Sequence, residues 1–390
     1  MGLIGGAHGM SHFYQLVLPP LFPFLIADFE LTYTELGVLM TVFFVASGFG
    51  QPVAGFVVDR LGARRVLLWG FGLYCLSIGA LAIVPSFALM FPLMVLAGLG
   101  NSVFHPADFT LLNANVRVSY LGRAFGVHTL GGNLGWALAP AFMILLAGLL
   151  GWREALVGAA VLGALVWGAL WWHRGALCDE VPGEVAPSAN VTGNIKVILQ
   201  PTILLCFAYF LLLAAALIAV QNFLPTILGA LHQTPAVLAG TALTGFLLGA
   251  AAGVVAGGLI ADRSRSHTLL IIGGLLGSGV LLLSVAHFDY ASAVLIAIIS
   301  AAGFLSGVTT PSRDLMVRAA TPPGATGRVF GVVYSGLDVG SAFAPITVGW
   351  MLDQGHPQWA LWAVALLIIA AVFTVVGIRS ASVRHTPAAT

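Results

Sequence analysis

Apolar residues in this chain run on for about twenty positions at a time, then stop at short polar or glycine-containing breaks. A hydrocarbon layer of about 30 Å needs roughly 20 apolar residues per helix. Twelve stretches meet that length, near 4–27, 36–58, 66–84, 88–112, 124–149, 153–172, 201–228, 235–260, 268–286, 291–316, 328–351 and 359–378. Each predicts a membrane-spanning helix. The breaks are short except for 173–200, which gathers acids, prolines and small polar residues and predicts a hydrophilic linker. The expected architecture is therefore an all-α membrane protein of two six-helix bundles, 1–172 and 201–390, joined by 173–200. Met1 to Gly6 carry no basic residue and the apolar run outlasts a signal peptide, so the first stretch is expected to be a retained helix.

Composition sharpens this. The chain is 59% hydrophobic and only 7% charged, with a mean hydropathy of +1.02, whereas soluble domains carry about 25% charged residues. Too little polar surface exists to cover a water-soluble globule. A net charge of +1 gives no reason to expect a nucleic-acid partner. Cys75, Cys178 and Cys206 are scattered, without disulfide or metal-type spacing.

Basic residues orient the spans, because they concentrate on the cytoplasmic side. With the N-terminus inside, Arg60, Arg64, Arg65, Arg117, Arg123, Arg174, Lys196, Arg263, Arg265, Arg318, Arg328, Arg379 and Arg384 fall in the cytoplasm. Arg153 alone falls outside, and Arg313 lies within a helix. An even number of spans then places both termini in the cytoplasm, and the expected location is the cell inner (cytoplasmic) membrane.

The halves also repeat. At an offset of 205 residues, Gly122-Arg123-Ala124-Phe125-Gly126-Val127 matches Gly327-Arg328-Val329-Phe330-Gly331-Val332 (327 − 122 = 205). Gly131, Gly135, Ala139 and Pro140 match Gly336, Gly340, Ala344 and Pro345, and His105-Pro106 matches Thr310-Pro311. Copies separated by six helices share one orientation, and parallel repeats place a substrate site at their interface near the midplane.

Gly55-Phe56-Val57-Val58-Asp59-Arg60-Leu61-Gly62-Ala63-Arg64-Arg65 resembles the loop signature between helices 2 and 3 of the major facilitator superfamily, and Gly258-Leu259-Ile260-Ala261-Asp262-Arg263 resembles its second copy. The resemblance covers essentially the whole chain. It implies a twelve-helix carrier whose cavity is lined by helices 1, 4, 7 and 10. It also implies a conformational switch at Gly55, Asp59, Arg60, Arg64, Arg65, Asp262 and Arg263. Ser11-His12, Val103-Phe104-His105-Pro106 and Gly131-Gly132-Asn133-Leu134-Gly135 are similar to the fosmidomycin-resistance branch of that superfamily.

Polar groups at membrane depth cost about 2.5–3.5 kcal/mol on insertion scales when charged, so each needs a partner or a task. His8, His12 and Gln15 share one face of the first helix, and Asn101, His105 and Asp108 share one face of the fourth. Histidine titrates near neutral pH, which makes a His105–Asp108 pair a candidate carrier of a coupling proton. Two other readings stay open: His105 donating to a carbonyl freed by Pro106, and a metal site of His8, His12, His105 and Asp108. His128 reads as an interfacial histidine.

In the second half, Arg313 aligns with Asp108 under the repeat (313 − 108 = 205). Its planar fork suits a carboxylate or phosphonate; equally, it could pair with Asp314 or Asp338. Tyr334 and Asp338 share a face of helix 11. Gln221 and Asn222 precede Pro225, where their amides could bind substrate or satisfy backbone around the kink.

No nucleotide-binding motif or nucleophile–base signature is present, so neither an ATP-driven pump nor an enzyme is expected. The reading that emerges is a monomeric, cofactor-free carrier of a small organic anion or zwitterion, coupled to protons. A divalent-metal carrier is the alternative, and a membrane enzyme or receptor is disfavoured.

Overall fold

Two proline-containing segments decide where the long helices break. The computed structural model describes residues 1–117, 121–177, 199–261, 264, 266–321 and 326–384. The first span starts as α1 (Gly2–Gln15), opens at Leu16, turns through a 3-10 segment at Pro19–Leu21 and resumes as α2 (Phe22–Phe29). Pro19 and Pro20 offer no N–H to the carbonyls a turn earlier, so α1 cannot continue through them. The fourth span is likewise two helices, α5 (Met90–Ser102) and α6 (Phe104–Asn115), parted at Val103. Pro106 cannot donate to the Ser102 carbonyl and its ring crowds it.

The remaining spans are single helices: α3 (Tyr33–Leu61), α4 (Ala63–Leu81), α7 (Leu121–Leu150), α8 (Trp152–Trp172), α9 (Pro201–His232), α10 (Ala236–Ala261), α11 (His267–Val285), α12 (Ser292–Ala320), α13 (Thr326–Asp353) and α14 (Pro357–Arg384). Among the described residues, twelve spans are long and apolar enough to cross a bilayer. Pro311, the repeat partner of Pro106, leaves α12 unbroken, so the two halves differ at this point. Only Gly62 separates α3 from α4, at φ +87°, a backbone conformation that other residues reach at a cost.

Helices α1 and α3 to α8 pack among themselves, as do α9 to α14, and the two groups meet chiefly through α3 against α13 and α7 against α10. Glycine sets the closest approaches. A Cβ on Gly131 or Gly135 of α7 would strike the Gly5 or Gly9 carbonyl of α1, and one on Gly336 or Gly340 of α13 would strike the Phe207 or Leu211 carbonyl of α9. The repeat-related glycines thus do the same work in each half.

Between the halves, named contacts cluster toward the face opposite the termini. Gly37 lies against the Pro345 carbonyl and Gly349 against that of Tyr33. The Thr41 hydroxyl donates to the Ala342 carbonyl at 2.6 Å, and Phe22 packs on Phe223 with ring centroids 5.3 Å apart. A Cβ on Gly55, Gly126 or Gly258 would meet nothing within 4 Å.

Candidate functional site

The polar residues of the first half converge on one buried cluster. α1 presents His8, Ser11, His12 and Gln15; α5 and α6 present Asn101, His105 and Asp108; α7 presents His128 and Trp136. The close α1–α7 packing makes this possible, since a Cβ on Gly132 would sit 2.6 Å from His12 Nδ1 and 3.1 Å from the His8 ring. His8 stacks on His128 with centroids 3.5 Å apart, and His12 stacks on Trp136 at 4.1 Å. His105 closes the group at 5.3 Å from His8 and 6.4 Å from His12.

Asp108 is the charge at the centre, 0% exposed. Its Oδ2 lies 3.0 Å from His128 Nε2, in hydrogen-bond geometry. His8 Nδ1 is 3.2 Å from the same oxygen, yet it lacks hydrogen-bond alignment, and Asp108 Oδ1 has no partner among the described residues. An uncompensated carboxylate at this depth would be costly, so the histidines are the groups that make it tolerable.

Two sequence expectations change here. His128 is not interfacial; it is 4% exposed and holds Asp108. Its spacing of four residues from Gly132 and eight from Trp136 puts all three on the α7 face that meets α1, the signal by which it could have been found. His105 is not the hydrogen-bonded partner of Asp108, and neither of its nitrogens bonds a carbonyl among the described residues. The break at Val103 turns α6 so that His105 faces His8 and His12 and stacks on Phe109 at 6.1 Å.

A hydrogen-bonded file ties the cluster to the neighbouring helices. Trp136 Nε1 donates to Gln15 Oε1 at 2.9 Å, Gln15 Nε2 to Asn101 Oδ1 at 3.3 Å, and Asn101 Nδ2 to Ser47 Oγ at 2.8 Å. It links α7, α1, α5 and α3. Any change in the packing of these helices must break or re-form it.

The second half carries a smaller group at the depth the repeat predicts. Arg313 Nε donates to Asp314 Oδ1 at 3.0 Å, Tyr334 Oη donates to the same oxygen at 3.0 Å, and the guanidinium lies over Phe210, 4.7 Å from the ring centroid. Of the two acids weighed for Arg313, the structure selects Asp314. Asp338 points elsewhere: it crosses to α3, where Gln51 Nε2 donates to it at 3.4 Å and its Cβ packs against Gly48. Tyr334 and Asp338 therefore serve different partners despite sharing a helix face.

Gln221 and Asn222 are buried, at 4% and 0% exposure. Gln221 Oε1 and both polar ends of the Asn222 amide have no hydrogen-bond partner among the described residues. They do not satisfy the backbone at the Pro225 kink.

Of the expected switch residues, Gly55 faces open space, and Arg60 and Arg65 are exposed. Arg64 Nη1 donates to the Arg174 and Leu177 carbonyls at 3.3 Å each, fastening α4 to the segment after α8. Asp262 and Arg263 lie outside the described residues, as does the side chain of Asp59.

A profile of the Major Facilitator Superfamily matches residues 4–239 and again 205–389. The MFS-type transporter YfnC of Bacillus subtilis, itself uncharacterised, is 28% identical over 390 residues, covering 95% of this chain and 90% of its own. The fosmidomycin resistance protein of Escherichia coli is 28% identical over 353 residues, covering 86% and 81%. Among solved structures, a bacterial homologue of the human lysosomal transporter Spinster, inward-facing and occupied, superimposes with a TM-score of 0.76 at 15% identity, covering 98% of this chain and 94% of that one. A variant of the nucleoside transporter NupG gives 0.76 at 14% identity, covering 96% and 99%. At such identities the structural likeness is one of fold.

Proposed function

The chain belongs to the Major Facilitator Superfamily, and from that premise we propose that it carries a small organic anion or zwitterion across the cytoplasmic membrane by alternating access, coupled to protons. Both termini face the cytoplasm in this reading, and the carrier works as a monomer. The named contacts between the halves lie toward the face opposite the termini, which suits a carrier closed on that side.

The observation that carries the proposal is Asp108, fully buried and bracketed by His128 and His8. A carboxylate between imidazoles can hold and release a proton without leaving a bare charge in hydrocarbon. The same groups touch α1, α6 and α7, so a change of protonation acts on the packing of the half that must rock. Arg313, stacked on Phe210, supplies the positive group for an anionic solute, and Gln221 Oε1 and the Asn222 amide, without partners among the described residues, supply hydrogen bonds.

Purified protein in proteoliposomes, given an imposed pH gradient, tests this directly. Screening of radiolabelled carboxylates, phosphonates and amino acids is expected to find a solute whose flux follows the gradient and collapses with a protonophore. Flux that ignores the gradient for every transported solute would remove proton coupling.

A further inference from the structure

The three histidines His8, His12 and His105 form a cage that their hydrogen bonds do not explain. Each can offer one ring nitrogen, and these atoms all lie within 4.8 Å of one another. Zinc–imidazole bonds are about 2.0–2.1 Å, and a ring centroid lies about 1.2 Å behind its nitrogen. Three imidazoles on one tetrahedral ion therefore have centroids roughly 5 Å apart. The observed separations of 4.4, 5.3 and 6.4 Å bracket that spacing. Closing the nitrogens from within 4.8 Å to the roughly 3.3 Å that such bonds set, a change of up to about 1.5 Å, would complete the set.

A second observation points the same way. His12 Nδ1 is buried with no hydrogen-bond partner among the described residues, and an unsatisfied buried nitrogen costs about 1–3 kcal/mol. Asp108 sits behind His8 Nδ1 at 3.2 Å, the outer position from which a carboxylate orients a metal-bound imidazole and turns its other nitrogen toward the ion. It also offsets part of the charge an ion would bring into hydrocarbon.

The neighbouring set of His8, Asp108 and His128 is also compact but is built differently. Its two rings are stacked at 3.5 Å with an interplanar angle of 22°, and their nearest nitrogens already meet on one Asp108 oxygen. Asp108 there already receives His128.

We propose that His8, His12 and His105 bind one divalent transition ion of the zinc, cobalt or nickel class, with the fourth coordination position open to water or solute. Three neutral imidazoles suit these ions, whereas magnesium and calcium prefer oxygen ligands. The site stands whether or not protons drive the carrier.

Cobalt(II) is the probe, because its visible d–d bands report coordination directly. Detergent-purified protein without a polyhistidine tag is titrated with cobalt(II), followed by zinc(II). The expected result is one equivalent of cobalt per chain with intense low-symmetry bands, erased by zinc and untouched by excess magnesium. His12→Gln and His105→Gln should each weaken binding at least tenfold while eluting as monodisperse protein. Asp108→Asn should weaken it by about tenfold, as outer-carboxylate losses do, and exposed His173→Ala should bind normally. Bands absent from the wild type, binding unchanged in His12→Gln, or loss confined to His128→Ala would each overturn the proposal.

Discussion

Asp353, the last residue of α13, caps the first turn of α3 across the gap between the halves: its Oδ2 accepts the Thr34 N–H at 2.7 Å and also the Thr34 hydroxyl. Its Oδ1 accepts the Tyr33 N–H at 2.7 Å. Thr32 and Glu35 cap each other's backbone N–H within α3. All four N–H groups from Thr32 to Glu35 are thus satisfied, two from α3 itself and two by the other half. A carboxylate at a helix N-terminus also meets the positive end of the helix dipole.

This cap can exist only while the two halves meet on that face, so it favours the sealed state. Caps of this kind contribute about 0.5–2 kcal/mol, and Asp353 is exposed, which argues for the lower part of that range. Asp353→Ala should therefore loosen the seal several-fold without unfolding either half. Maleimide labelling of a cysteine placed at Ala342 reads it; an unchanged labelling rate in Asp353→Ala would show that the cap is incidental.

Gly37 and Gly349 should behave more severely. A methyl at either position would enter the backbone of the opposing helix, at Pro345 or Tyr33, where no side chain can move aside. Gly37→Leu is expected to hold α3 and α13 apart. Its labelling at Ala342 should exceed that of Asp353→Ala, with solute flux lost and membrane insertion retained. Normal flux would mean that the tight contact is dispensable to the cycle.

The twelve-span architecture was legible in the sequence because span length is a global property that no single contact can override. The candidate site was legible only in part. His8, His12, His105 and Asp108 stood out as polar groups in apolar runs. Their pairing did not, because partner choice depends on helix rotation. One turn at Val103 and two close-packed glycines of α7 move Asp108 from His105 to His128. Asp338 escaped in the same way: its partner lies in another half, at a distance in sequence that no periodicity encodes.

For the proton-coupled reading, His128→Ala and Asp108→Asn are the sharpest tests. Each leaves the other buried group without its hydrogen-bond partner. Both are expected to slow gradient-driven flux at least tenfold while inserting and eluting normally. Counterflow under equal pH on both sides separates the roles: a coupling residue spares counterflow, a structural one does not. Equal loss in both assays would remove His128 and Asp108 from coupling.

Asn222 allows binding to be told from folding. Its amide is fully buried with neither end paired among the described residues, and exchanging such a group for an apolar one of similar shape is commonly neutral or stabilising. Asn222→Leu is therefore expected to raise or preserve Tm while raising KM for the carried solute, with kcat less affected. A variant with lower Tm and unchanged KM would mark the amide as a packing element. Arg313→Lys provides the matching test from the other side of the chemistry. A lysine keeps the charge near Asp314 but loses the planar fork and its stacking on Phe210. If Arg313 anchors the solute, KM should rise about tenfold or more with insertion intact; if it serves only to neutralise Asp314, the lysine should transport as well as the arginine.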